Sequence, residues 1–359
     1  MADRRDIRFV RSFDDVDIAT AVCGSGPPLI KAATWLTHID QTPPGTIHSA
    51  LIEEFGRTHT YIEYDTRGCG LSQRKVDDIS FDAWVRDLEA VADASGHERF
   101  ALLGFTCAAG VAVEYAARHP DRVSHLILFG GFATSYHSTS HPDPAVRREG
   151  DLMLELAEVG WGCSSPAFRQ VFVSRFLPDA SQAQWGAFDK LQRETATPDV
   201  AARYLRAMYS MNVKEAATGV RCPTLVLHPK GDQMVNFDQG RRLASLIAGA
   251  RFVPLEGRNH IPFPDEPAWI GFLQEVRRFL GGVEAARSDA APSSVRLTPR
   301  QSQVLRHVAS GQTDKQIAHA LSLSPRTVEM HVAGAIKALG CKTRAEATHR
   351  AAHHRLLDS

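Results

Sequence analysis

Three residues far apart in the chain have the types and the local settings for acyl chemistry. Thr106 follows the apolar run FALLGF (100–105) and precedes the helical pattern VAVEYAARHP, so its hydroxyl stands on a tight turn between a strand and a helix. Asp232 follows the strand-like run TLVLH (224–228), and His260 follows RFVPL (251–255). In the order nucleophile, acid, histidine, His260 would take the hydroxyl proton and Asp232 would orient the imidazole. The amides of Cys107 and of a residue near Thr34 or Trp35 would hold the developing oxyanion.

Such groups need a rigid frame. Residues 5–23 alternate apolar and polar positions as two strands do. PPLIKAA (27–33), TYIEYD (60–65), FALLGF, VSHLILFG (123–130), TLVLH and RFVPL are short apolar runs, most of them separated by helical patterns. Strands alternating with helices predict an α/β fold with a mostly parallel sheet covered on both faces, its functional residues at the carboxyl ends of strands.

The last 65 residues are written differently. Residues 282–294 (GVEAARSDAAPSS) are small and polar and read as a linker. Beyond them, Thr298 with Pro299 and Gln301, Thr313 with Gln316, Ser324 with Pro325, and Thr343 with Glu346 each mark a helix start, while Gly311 and Gly340 mark stops. Only a brief turn separates the second and third helices, the spacing of a helix-turn-helix. In the third, Val328, Val332, Ala335, Ile336 and Leu339 share one face, with Arg326, Met330, Ala333 and Lys337 opposite. Lys315, Arg326, Thr327, Glu329, Met330 and Lys337 are the candidate DNA contacts: bases and phosphates for the cations, cytosine N4 for the Glu329 carboxylate.

The segment LTPRQSQVLRHVASGQTDKQIAHALSLSPRTVEMHVAGAIKALGCKTRAEA resembles the LuxR-type (GerE-like) DNA-binding domain along its whole length, with Glu329 where many members carry Lys or Arg. Positions 5–281 resemble the α/β-hydrolase fold through the order Thr106, Asp232, His260, through DTRGCGLS (65–72) and through ARHPDRVSHLIL. They are also similar to a bacterial subgroup that joins such a domain to signalling or DNA-binding modules, through ATWLTHID, GWGCSSPAFRQVFVSRFLPDA and ARFVPLEGRNHIPF. The resemblance implies a helical cap over the pocket at about 131–220, a ligand-sensing body over 1–281 and a DNA-binding domain over 295–359. Aromatic residues of the cap are expected to be core or pocket wall; Trp161, Phe168, Phe172 and Trp185 join Thr34, Trp35, Thr106, Cys107 and His260 as expected ligand contacts. It also exposes departures. Thr106 replaces serine, and a β-branched residue fits poorly on a turn that demands an unusual backbone angle. Ala108 replaces the second glycine of the elbow, and Ala33-Thr34-Trp35 stands where most hydrolases have His-Gly.

Composition narrows the function. The 359 residues exceed one core's usual size, pointing to two domains. Residues 292–359 carry a net +6 and the remainder −6, a small basic module on an acidic body. Neither a secretory leader nor a membrane span is read. Six scattered cysteines form no zinc or disulfide pattern, so reduced thiols in a cytoplasmic protein are expected, without metal. No G-x-x-x-x-G-K-[ST] loop is present, and no cofactor is expected. The expected protein is a transcriptional regulator whose hydrolase-like body binds a small, largely apolar effector without turnover and controls the binding of double-stranded DNA. A homodimer is implied by the family and by paired half-sites, with the fourth helix, 343–357, as candidate contact. One alternative is an active esterase with Thr106 as nucleophile, fused to a DNA reader. Another is a body that serves only as a dimerisation scaffold.

Overall fold

The computed structural model describes residues 5–34, 37–42, 45–138, 144–161, 163, 165, 167–288, 297–338, 341 and 343–353. Side chains at 168, 169, 282–288, 299, 338, 345, 349, 350, 352 and 353 fall outside the description. Contacts divide the chain into two compact units, 1–282 and 283–359.

The first unit opens with an antiparallel pair, β1 (Asp6–Arg11) and β2 (Asp17–Cys23), followed by β3 (Pro28–Lys31), α1 (Ile47–Phe55), β4 (Thr60–Tyr64), α2 (Phe81–Ala94), β5 (Phe100–Phe105), α3 (Cys107–Arg118) and β6 (Val123–Phe129). Among the described residues five helices then intervene: α4 (Pro144–Gly160), α5 (Ala167–Phe176), α6 (Gln182–Thr195), α7 (Pro198–Tyr209) and α8 (Lys214–Gly219). The sheet resumes with β7 (Thr224–Pro229), α9 (Phe237–Leu246) and β8 (Arg251–Leu255), and α10 (Pro267–Ser288) follows. Residues 282–288, read from sequence as part of a linker, are thus helical; 289–294 lie outside the described residues.

The eight strands form one sheet in the order β1-β2-β4-β3-β5-β6-β7-β8, parallel from β4 through β8. Period-two alternation supplies both faces at once. Leu102 and Val226 point into a core shared with Trp84 and Leu88 of α2 and Val113 of α3. Their neighbours Leu103, Phe105, Leu225 and Leu227 point into a second core with Leu51 and Phe55 of α1 and Trp269, Phe272 and Val276 of α10. That double burial is why β5 and β7 read as unbroken apolar runs. The DTRGCGLS segment is anchored electrostatically: fully buried Arg67 meets Asp87 and Asp14 at 2.7 Å each.

The second unit holds α11 (Pro299–Ala309), α12 (Asp314–Leu321), α13 (Pro325–Ala338) and α14 (Arg344–His353). Thr298 with Gln301 and Thr313 with Gln316 form the capping boxes expected from their spacing, and Gly311 takes φ +79° after α11. Val304, Ile317, Ala318, Val328 and Val332 make one small core, and Leu305, Ala335, Ala347 and Ala351 another. Arg300 donates to the Leu321 carbonyl at 2.8 Å, and Arg344 pairs with Asp314 at 2.5 Å, so two motif arginines fasten helices together.

Candidate functional site

The turn after β5 has the backbone of a nucleophile elbow. Thr106 sits at φ 53° and ψ −122°, a region costly for a β-branched residue, and its amide donates to the Phe129 carbonyl at 2.9 Å. Close approach of α3 to β5 fixes this turn. A Cβ at Gly104 would lie 2.7 Å from both the Ala108 carbonyl oxygen and the Ala109 Cα, so glycine is required there, while Ala108 itself packs fully buried. The missing second glycine therefore does not open the elbow.

Asp232 lies in the loop between β7 and α9. Its Oδ1 accepts the amides of Met234 (2.8 Å) and Val235 (3.0 Å), and its Oδ2 accepts His260 Nδ1 at 2.6 Å. His228 Nε2 approaches Oδ2 at 3.3 Å while bonding the Val235 carbonyl at 2.9 Å. Burial pushes the Asp232 carboxyl up, but the neighbouring His260 and the hydrogen bonds from His228 and His260 outweigh it and hold the carboxyl well below the usual carboxylate range. His260 is fully buried, its amide donates to the Phe176 carbonyl at 2.8 Å, and its ring meets Phe176 edge-on. With Nδ1 bonded to Asp232, Nε2 is the ring nitrogen left over, and it has no hydrogen-bond partner among the described residues. The Thr106 hydroxyl donates instead to Cys107 Sγ at 3.5 Å.

Thr106, Cys107 and His260 open onto a cavity of about 400 Å³ between sheet and cap. Phe132, Tyr136, Phe176, Met208, Tyr209 and Met234 supply apolar wall, and Arg175, bonded to the Tyr136 hydroxyl at 3.1 Å and paired with Glu149 at 2.5 Å, supplies charge. Three cap residues expected at this wall are elsewhere. Trp161 donates its indole N–H to the Ala196 carbonyl at 3.1 Å and packs edge-on with Phe172 in the core that the cap shares with one face of the sheet, and Trp185 donates to the Leu177 carbonyl at 2.8 Å. Each indole is turned inward by its carbonyl partner. Trp35 lies outside the described residues, as does the side chain of Phe168. Thr34, 8% exposed, lines a smaller chamber that Thr106 also borders. Sequence reading passed over Tyr136 and Arg175, whereas Phe176 and Met208 belong to the aromatic-rich cap segment whose side chains it left as core or pocket wall.

In the second unit, Lys315, Arg326, Glu329 and Lys337 are exposed, and Met330 leaves 63% of its surface to solvent, a high value for an apolar side chain. Thr327 is half-buried, its amide and hydroxyl both engaged by Ser324 Oγ at the start of α13. The opposite face of α13 carries the buried Val328, Val332 and Ala335.

Elbow, carboxylate–imidazole pair and cap define an α/β-hydrolase type of body, and the tail is a helix-turn-helix. Residues 44–267 match the alpha/beta hydrolase fold family, and residues 295–351 match the family of bacterial regulatory proteins described as luxR. The chain belongs to the α/β hydrolase fold family and carries a luxR-family DNA-binding module. The AB hydrolase superfamily protein YisY of Bacillus subtilis is 24% identical over 74% of this chain and 96% of its own length. A 2-hydroxymuconate semialdehyde hydrolase of Pseudomonas sp. is 28% identical over 64% of this chain and 75% of its own. Among solved structures, an esterase from Exiguobacterium antarcticum superposes with a TM-score of 0.61 at 22% identity, covering 77% of this chain and 98% of that one, a likeness of fold. No helix among the described residues is long and apolar enough to cross a membrane.

Proposed function

We propose that this DNA-binding regulator is ligand-responsive: its hydrolase-like body binds a small molecule in the 400 Å³ cavity without cutting it, and occupancy changes how the luxR module engages DNA. The observation that carries this reading is the state of the elbow. Thr106 keeps the strained backbone but directs its hydroxyl to Cys107, leaving His260 Nε2 unpaired and available to a ligand's donor. The cavity's volume lies within the ~300–1,000 Å³ usual for small-molecule sites. Effector control requires that the ligand bind one state of the protein better than another.

On the DNA side, α13 would lie in the major groove. Arg326 and Lys337 would take phosphates or guanine edges, Glu329 cytosine N4, and Met330 a thymine methyl, with Lys315 and the α13 N-terminal turn at Thr327 on the backbone. Dimerisation through α14 would set two half-sites about one helical turn apart. A cytoplasmic setting follows from the DNA target.

A second reading, hydrolysis of the ligand, is favoured by the intact Asp232–His260 pair and by the hydrolase names of the relatives. Purified protein and Thr106→Ala, given a panel of short and medium acyl esters, separate the two. We expect no turnover above the variant, together with compounds that raise thermal stability and shift affinity for a DNA fragment selected from a random pool. Turnover that vanishes in Thr106→Ala would overturn the non-catalytic reading.

A further inference from the structure

The smaller chamber beside the elbow is lined in part by a buried amine. Lys31, the last residue of β3, ends a central strand at its carboxyl end with only 1% of its surface exposed, and its Nζ has no hydrogen-bond partner among the described residues. The nearby carboxylates are engaged elsewhere. Glu63 pairs with Arg5 at 3.2 Å, and Asp65 accepts the amides of Ile39 (3.0 Å) and Leu71 (2.9 Å), so neither forms an ion pair with Lys31. A buried, unpaired amine is expensive and is not retained for stability alone.

Lys31 lines a chamber of about 30 Å³ together with Thr34, His48 of α1, Phe105, Thr106 and Phe188. The Nδ1 of His48 is likewise buried without a partner, and burial, helped by Lys31, pushes the imidazole down to about 3, so the ring is neutral. Two side chains that each carry a buried nitrogen without a hydrogen-bond partner among the described residues thus line one small space. A single water needs about 10–15 Å³, so this chamber can seat the two oxygens of a carboxylate but not a ring. Thr106 and Phe176 line both this chamber and the large cavity.

We propose that the chamber is a carboxylate subsite: the effector fills the large cavity with its hydrocarbon body and presents a carboxylate past Thr106 to Lys31 Nζ and His48 Nδ1. This rests on the ligand-binding reading above and changes its chemistry, from a largely apolar molecule to an amphipathic acid. Burial holds Lys31 below its ordinary value against the opposing pull of Glu63 and Asp65, and an arriving anion would favour the ammonium.

The test uses the full chain with octanoate and octanamide, which share a hydrocarbon body and differ in charge, measured by titration calorimetry against wild type and Lys31→Met. Octanoate should bind wild type roughly tenfold to a hundredfold tighter than octanamide, the worth of a charge-assisted bond in a buried site. Lys31→Met should abolish that preference while keeping octanamide affinity. Equal affinities in wild type, absence of binding by both, or a preference that survives in Lys31→Met would each overturn the subsite. The wild-type comparison stands alone should the variant fail to fold. DNA binding measured in the same samples keeps the two proposals apart. Octanoate held through Lys31 with no change in DNA affinity leaves the subsite standing and removes the regulatory reading, whereas a DNA response to both probes without acid preference does the reverse.

Discussion

Replacing Thr106 by glycine isolates the strain in the elbow. Thr106 occupies φ 53°, ψ −122°, and a non-glycine residue held in such a region costs about 1–3 kcal/mol. Glycine releases that cost and gives back about 0.5–1 kcal/mol through the greater freedom of the unfolded chain. The half-buried side chain adds a loss of about 0.5 kcal/mol, since a fully buried methylene is worth about 0.8. The balance is a stabilisation of about 1 kcal/mol, which should raise the melting temperature of the body by about 2 °C. Thr106→Ala keeps the Cβ and should gain less than half as much. All five tryptophans (35, 84, 161, 185 and 269) lie in the first unit, so urea unfolding followed by tryptophan fluorescence reports on the body without interference from the DNA-binding module. A Thr106→Gly protein no more stable than wild type would refute the argument that β5 and α3 impose the turn against the residue's preference.

Other outcomes follow from the same contacts. Asp232 is held below the value of an unfolded aspartate, so its contribution is complete above about pH 4 and declines as pH falls from there toward the folded value. Asp232→Asn should therefore lower the urea midpoint at pH 6, and the gap from wild type should narrow as the pH is taken to 3; a gap that widens would contradict the assignment. Gly104→Ala forces a methyl to within 2.7 Å of main-chain atoms of α3 and should cost up to about 3 kcal/mol, read as a drop in the same midpoint. Lys337→Ala should weaken DNA binding and, where the lysine meets a phosphate, lower the slope of log affinity against log salt by about one unit; identical affinities at two salt concentrations would remove it from the interface.

The strands were legible because parallel strands buried on both faces must be continuously apolar, and FALLGF and TLVLH had few alternatives. The tail was legible through its caps: threonine followed three residues later by glutamine is a local signal needing no tertiary information. Asp232 and His260 were found by order and strand context. What sequence could not show is the direction in which a cap side chain turns. Trp161 and Tyr136 are both aromatic and both packed, yet one bonds a carbonyl inside the cap and the other walls the cavity. Lys31 was hidden for a different reason. A lysine ending a strand reads as a solvent-facing charge, and only the packing of α1, far along the sequence, shows it enclosed with His48.

The shape of the elbow belongs to the main chain, to the Thr106 amide on Phe129 and the tight seating of α3 on Gly104, and not to the identity of residue 106. In genetic terms that places the body a short step from another phenotype. Every threonine codon is one base away from a serine codon, and the substitution would set an unbranched hydroxyl on a turn that already exists, beside an imidazole already oriented by its carboxylate. A lineage carrying this gene would not have to invent an active site to acquire signal destruction. It would have only to keep the backbone it has, and, on the ligand-responsive reading proposed above, a body that binds a molecule would become one that binds and then clears it.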